Sequence, residues 1–152
     1  MRLKPSDGYV VADQTNLPCV DQDMLNIYFA THTMLMRAEI RAVKAARGGR
    51  KSYIENAIGY VAVRRSSHTV EVTAKVTPEH RVRSSPYAVS AVIDEKEKKI
   101  AVAKCHGCLA QAGMCKHATA LLFWLYSRTI EKSPTEIFCY WRKPKLSTVG
   151  ER

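Results

Sequence analysis

Thiol and imidazole side chains are concentrated in one stretch of this 152-residue chain, KCHGCLAQAGMCKH at 104–117. The stretch holds three of the five cysteines and two of the five histidines. Its spacing is Cys105-x-x-Cys108, six residues, and then Cys115-x-His117. Thiolate and imidazole groups are ligands that zinc prefers, and four of them close a tetrahedral structural site. We therefore expect one structural Zn²⁺ bound by these four side chains.

The Cys115-x-His117 pair sets a condition on the local backbone. Two residues that are two positions apart on a regular helix point roughly 200° away from each other, so they cannot both reach one ion. We therefore expect Cys115 at or before the start of a helix and His117 in its first turn. The N-terminus of that helix would also favour the thiolate form of Cys115.

Two other interpretations of the cysteine cluster stay open. His106 lies inside the first pair and could replace Cys105 as a ligand or bind elsewhere. Alternatively, the cysteines are buried or redox-active without any metal. The remaining cysteines, Cys19 and Cys139, are isolated in the sequence, and we expect each to be a small buried hydrophobe.

Charge and composition narrow the class of protein. The net charge is +10 and the isoelectric point is near 9.6, and a fold alone does not require that excess. A strongly basic chain attracts polyanions such as nucleic acid. There is no apolar run suited to a signal peptide or a membrane span. An odd number of cysteines, with three clustered, argues against a disulfide framework. We expect an intracellular protein without membrane contact.

The periodicity of apolar residues predicts an α+β fold with a long N-terminal helix and a four-stranded antiparallel sheet. Residues 1–20 show no periodicity and are predicted to be an irregular arm. Residues 21–49 are predicted to be a long amphipathic helix, with Asp21 as its N-cap. Its apolar stripe is Leu25, Tyr28, Phe29, His32, Met36, Ile40 and Val43.

The zinc-binding domain is predicted over 56–141, with its zinc knuckle at 105–117. The predicted strands are AIGYVAVRR, TVEVTAKV, YAVSAVI and KKIAVAKC, because each is rich in strand-forming residues. The segment CKHATALLFWLYSRTIE follows the knuckle and is apolar nearly all round, so it is predicted to be a largely buried helix. Residues 142–152 are predicted to be a basic tail.

Basic side chains form three concentrations that could neutralise phosphates. One lies on the predicted long helix, a second lies around the first hairpin and its following loop, and a third lies in the tail. The candidate contact residues are Arg37, Arg41, Lys44, Arg47, Arg64, Arg65, Arg81, Arg83, Arg142 and Lys143. The alternative for each cluster alone is a solvated face, which is what a run of charges usually forms. Tyr140 and Trp141, beside the third cluster, could be core residues or a platform on which unpaired bases stack.

The knuckle and the helix after it, KCHGCLAQAGMCKHATALLFWL, resemble the SWIM-type zinc finger, whose pattern is CxC, a short spacer and CxH. This chain has CxxC in place of CxC. A wider similarity, to an insect SWIM-type family, rests on IGYVAVRR, VTPEHRVRSSPYAVSAVIDE, CKHATALLFWLYSR and PTEIFCYWRKPKLSTVG. Relatives of that family are joined to viral-recombinase-like exonuclease domains or occur in transposase-like proteins. The resemblance implies a SWIM-like zinc knuckle and a module that binds DNA or protein.

A binding function is favoured over catalysis. A catalytic zinc usually keeps an open position for water, whereas four soft ligands are available here and no glutamate lies near them. A cysteine nucleophile such as Cys139 with His80 is a remote alternative. We expect a nuclear protein, with the cytoplasm as a second location, that binds nucleic acid, and DNA in preference to RNA. The other hypothesis is a protein-interaction adaptor or homodimer that uses the long helix.

The zinc hypothesis predicts that Cys115→Ser or His117→Ala destabilises the fold, because binding of a structural ion is linked to folding. Metal analysis and thermal denaturation would measure the zinc content and the melting temperature. A variant that kept one zinc per chain and the wild-type melting temperature would contradict the proposed ligand set.

Overall fold

Five antiparallel strands and three helices make up the described part of the chain. The computed structural model describes residues 8–13, 15–31, 51–77, 86–106, 116–130, 140–141 and 143–144. The strands are β1 (Val10–Val11), β2 (Ile58–Arg65), β3 (Thr69–Val76), β4 (Tyr87–Asp94) and β5 (Lys99–Cys105). The helices are α1 (Gln22–Thr31), α2 (Lys51–Ala57) and α3 (Lys116–Ile130). The order across the sheet is β1-β2-β3-β4-β5, so each strand pairs with its neighbour in sequence.

One face of the sheet forms the core because small and branched apolar side chains alternate with polar ones along the strands. On β3 the buried residues are Val70, Val72, Ala74 and Val76, and on β4 they are Val89, Ala91 and Ile93. Helix α3 packs on this face and contributes Leu121, Leu122 and Leu125, all fully buried. The core therefore lies between the sheet and α3.

Helix α1 begins where the sequence predicts. The carboxylate of Asp21 accepts a hydrogen bond from the backbone N–H of Met24 at 2.8 Å, which is the geometry of an N-cap. The helix packs beside β5, with the ring of Phe29 5.8 Å from that of Phe123 in α3. The hydroxyl of Tyr28 accepts a hydrogen bond from the backbone N–H of Ala103 at 3.1 Å. Tyr28 thereby satisfies a donor on β5, which is the last strand of the sheet in the described part of the chain.

The predicted combination of a four-stranded sheet and a long N-terminal helix is wrong. The sheet gains a fifth strand because Val10–Val11 pairs with β2. The N-terminal helix in the described residues is α1, with 10 residues, and the longest helix there is α3, with 15. The predicted helical positions 32–49 lie outside the described residues. The four predicted strands and the buried helix after the cysteine cluster are confirmed.

The apolar side of α1 is already used inside the chain. Leu25, Tyr28 and Phe29 are all buried in the core cluster. A homodimer or adaptor that relied on this stripe would have to expose these side chains to reach a partner. Among the described helices, none has the length and apolar character needed to cross a membrane.

A bulge in β2 joins three distant parts of the chain. The pairing of β2 with β3 shifts register between Gly59 and Ala62, and Tyr60 there has a positive φ of 49°. The N–H of Val61 donates to the carbonyl of Tyr140 at 3.0 Å, and the carbonyl of Val61 accepts from Ala12 at 3.0 Å. Tyr140 in turn donates to the carbonyl of Ala12 at 2.9 Å. The bulge thus directs the N–H of Val61 towards Tyr140 and its carbonyl towards Ala12.

Tyr28→Phe is expected to reduce the free energy of unfolding by about 1–3 kcal/mol, because it leaves the buried N–H of Ala103 without its acceptor. Urea denaturation would measure the change. Tyr87→Phe is the matched control, since the half-buried Tyr87 hydroxyl has no hydrogen bond to any described residue. That control should stay within about 0.5 kcal/mol of the wild type. Equal losses in the two variants would contradict the role given to Tyr28.

Candidate metal centre and basic surface

Strand β5 and helix α3 bring two of the predicted zinc ligands together. Cys105 is the last residue of β5, and His117 lies in the first turn of α3. The Sγ of Cys105 is 3.8 Å from the Nδ1 of His117. Cys105 is buried and His117 is half-buried. The predicted position of His117 in the first turn of a helix is confirmed.

The separation of these two atoms fits a shared metal ion. With Zn–S near 2.3 Å and Zn–N near 2.0–2.1 Å, two tetrahedral ligands lie about 3.6 Å apart. The observed 3.8 Å is close to that value. Within the described residues, no group of three or more candidate ligands is present. Cys108 and Cys115, the other predicted ligands, lie outside the described residues.

Tyr87, the first residue of β4, holds the imidazole of His117 from the side. The two ring centroids are 4.5 Å apart with an interplanar angle of 54°. The next inward residue of β4, Val89, pairs with Cys105 in the sheet. One end of β4 therefore positions both candidate ligands, Cys105 through strand pairing and His117 through ring contact.

His106 lies on the other face of the sheet from Cys105, as alternation along a strand requires. Its Nε2 is 3.0 Å from the hydroxyl oxygen of Ser90, and its backbone N–H donates to the carbonyl of Ala88 at 2.8 Å. His106 is exposed. This geometry favours Cys105 over His106 as the first ligand of the site.

The two predicted phosphate contacts on β2 are engaged in ion pairs. Arg64 lies 2.7 Å from a carboxylate oxygen of Glu71 on β3, and its guanidinium stacks 4.8 Å above the ring centroid of Tyr9. Arg65 lies 2.6 Å from Glu95. Both arginines remain about half exposed, at 50% and 44% of their side-chain surface. Exposed pairs of this kind are weak, so both cations stay accessible to a polyanion.

Tyr9 belongs to the same cluster. Its hydroxyl donates a hydrogen bond to Glu71. Burial of the phenol, followed by this hydrogen bond and the negative charge of Glu71, raises the pKa of Tyr9 to about 12, although Arg64 acts in the opposite direction. Tyr9 is therefore neutral at physiological pH. The carboxylate of Glu71 interacts both with the phenol of Tyr9 and with the guanidinium of Arg64.

Most of the other predicted phosphate contacts lie outside the described residues. These are Arg37, Arg41, Lys44, Arg47, Arg81, Arg83 and Arg142, and the remaining one, Lys143, is exposed. Of the two aromatic residues beside Lys143, Tyr140 is buried with its ring edge-on to Trp124 at 5.0 Å. Trp141 is half-buried and packs edge-on against Tyr60 at 5.2 Å.

The expectation that Cys19 is buried is wrong. Cys19 is exposed, whereas its neighbours Pro18 and Val20 are buried and take up the inward positions. Cys139 and His80, which formed the remote catalytic alternative, lie outside the described residues.

Most polar residues on the outer face of the sheet are missing from the predicted contact set, and Lys75 alone belongs to a predicted basic concentration, the one around the first hairpin. This outer face, opposite α3, carries Thr73, Lys75, Ser90, Lys104 and His106. Alternation in TVEVTAKV, and in the last residues of KIAVAKC, is the signal that identifies the residues on β3 and β5, because each polar residue there lies next to a buried one.

Comparisons of this chain with family models, with curated proteins and with solved structures give no match.

Cys105→Ser is expected to lower the bound zinc well below one ion per chain, because it removes the thiolate that faces His117. His106→Ala should keep the full zinc content, since its ring is directed to Ser90 on the outer face. Cys19→Ser is a second control with an exposed thiol. Metal analysis after dialysis measures all three. Loss of zinc in His106→Ala with retention in Cys105→Ser would reverse the assignment.

Proposed function

We propose that this chain is a non-catalytic zinc-binding module of the SWIM type that binds nucleic acid through its basic side chains. The ligands of its single structural Zn²⁺ are Cys105, Cys108, Cys115 and His117. The observation that carries the zinc assignment is the 3.8 Å approach of Cys105 Sγ to His117 Nδ1. These two atoms come from elements on either side of the knuckle, so an ion there would join the end of β5 to the start of α3.

The donor set supports a structural role for the ion. Three thiolates and one imidazole fill a tetrahedral zinc, and no open position is then left for an activated water. The ion would also lie against the core, because Cys105 is buried. Metal binding would therefore contribute to folding more directly than to any reaction.

The nucleic-acid assignment is supported by charge. A net charge of +10 creates a field that attracts phosphate backbones. Arg64, Arg65 and Lys143 are exposed in the described part of the chain. The resemblance to SWIM-type proteins with transposase-like relatives favours DNA over RNA and a nuclear location.

A salt titration tests the proposal. Zinc-loaded protein is mixed with fluorescent duplex DNA, single-stranded DNA or RNA of one sequence, and binding is followed by anisotropy at increasing salt concentration. The logarithm of the binding constant should fall linearly with the logarithm of the salt concentration. The slope is about 0.9 for each phosphate contacted on duplex DNA and about 0.7 on single strands. All three oligonucleotides should remain intact after incubation.

A peptide nucleic acid of the same sequence is the matched control, because it has the same bases on an uncharged backbone. It should bind far more weakly than the DNA. Absence of binding to any nucleic acid at low salt would overturn the nucleic-acid assignment. Equal binding of the charged and uncharged oligomers would overturn the role of the basic side chains.

A further inference from the structure

The outer face of the sheet has a regular polar surface that the zinc site does not use. Its residues are exposed or half-buried, whereas the residues between them are buried. Val72 and Ala74 lie on either side of Thr73, and Cys105 follows Lys104, all on the core side. The face is formed by strands whose positions are held by the core, so its side chains are presented on a rigid support.

Strand register orders these residues into rows. Thr73, Ser90 and Lys104 lie side by side on β3, β4 and β5. In the next row, Lys75 pairs with Ala88, whose carbonyl accepts the N–H of His106. A strand spacing near 4.8 Å and a rise near 3.4 Å per residue put the Cα atoms of Lys75 and Lys104 about 12 Å apart. Hydroxyl and imidazole groups lie between these two cations.

The charge of the outer face favours an anion. Lys75 and Lys104 are exposed, and neither forms an ion pair with any residue in the described ranges. The carboxylate of Glu71, on the same face, is bound by Arg64 and by the phenol of Tyr9. Among the described residues, the carboxylate of Glu71 is therefore already compensated, and Lys75 and Lys104 add positive charge that no described carboxylate pairs.

An aromatic pair, Tyr60 and Trp141, is close along the backbone of β2 to the row that holds Lys75. Tyr60 follows Gly59, which pairs directly with Lys75. The half-buried rings of Tyr60 and Trp141 meet edge-on, so part of each ring remains accessible to solvent. Tyr60 adopts its positive φ of 49° at the bulge, a conformation that is uncommon for a residue other than glycine. Strained backbone of this kind is often kept where it orients a side chain for binding.

We propose that the outer face binds single-stranded nucleic acid. Lys75 and Lys104 contact phosphates, the hydroxyls of Thr73 and Ser90 donate hydrogen bonds, and an unpaired base stacks on Trp141. This proposal rests on the nucleic-acid binding proposed above, and it specifies the surface and the form of the strand. A single strand is favoured over a duplex because its bases can leave the stack and expose the ring faces that an aromatic side chain contacts.

Two charge-matched double variants test the surface. Lys75→Gln/Lys104→Gln removes the cations of the outer face, and Lys96→Gln/Lys98→Gln removes two exposed cations from the turn between β4 and β5. The probe is a fluorescent single-stranded oligothymidylate, titrated by anisotropy into the zinc-loaded full chain. The outer-face variant should lose about tenfold or more in affinity, and its salt slope should fall by about 1.4, which is two contacts at about 0.7 each. The turn variant should change less than about twofold.

Tryptophan fluorescence tests the stacking contact. Trp124 is buried and Trp141 is half-buried, so a bound base should quench Trp141 selectively. Quenching by oligothymidylate should disappear in Trp141→Phe, which keeps an aromatic ring and therefore most of the affinity. Circular dichroism and the melting temperature of each variant establish that the fold is retained.

The outcomes separate the two proposals. Equal loss of affinity in the two lysine double variants would overturn the outer face as the binding surface while leaving nucleic-acid binding intact. Tighter binding of a duplex than of the single strand, by the same lysines, would overturn the single-stranded preference. If the wild type binds no nucleic acid at low salt, both proposals fail. Quenching that persists in Trp141→Phe would overturn the stacking contact.

Discussion

Alternation of side chains along β5 is the constraint on which both candidate surfaces depend. Cys105 points into the core side, where it meets His117, and its neighbours Lys104 and His106 point to the outer face. A slip of one residue in the pairing with β4 would exchange these positions, and it would place an imidazole and a lysine in the core. The register of β4 with β5 therefore separates the candidate metal-binding side from the proposed polyanion-binding side within three consecutive residues.

The sequence predicts those helices and strands that are long enough for the spacing of their apolar residues to be recognised. β3 shows apolar residues at every second position, β4 is rich in strand-forming residues over eight positions, and Asp21 is recognisable as the N-cap of α1. β1 is a strand of two residues, so it has no period, and it forms only because β2 offers a free edge. The bulge at Tyr60 is likewise set by contacts with distant residues. A four-stranded sheet was the simplest prediction because the fifth strand depends on such long-range pairing.

Within the candidate site, a contact between residues that are close in sequence is easier to predict than a contact between residues that are far apart. The meeting of Cys105 with His117 could be inferred because the ligand spacing and the geometry of a helix start act locally. The ion pairs of Arg64 and Arg65 could not, because their partners are brought close by strand pairing and by a turn further along the chain. The outer face is an intermediate case. Alternation identifies its residues, but their arrangement in rows requires the register.

The hydrogen bonds that join Ala12, Val61 and Tyr140 have a consequence for biosynthesis. Translation delivers Ala12 and Val61 long before Tyr140, so a nascent chain can form the hairpins of β2 to β5 while the amide of Val61 still lacks its partner. The first edge of the sheet is completed only after the segment that carries Tyr140 has left the ribosome. Contacts between such distant residues form late and slow the final step. During that interval the unfinished edge is a natural site for a chaperone, or for pairing with another nascent chain.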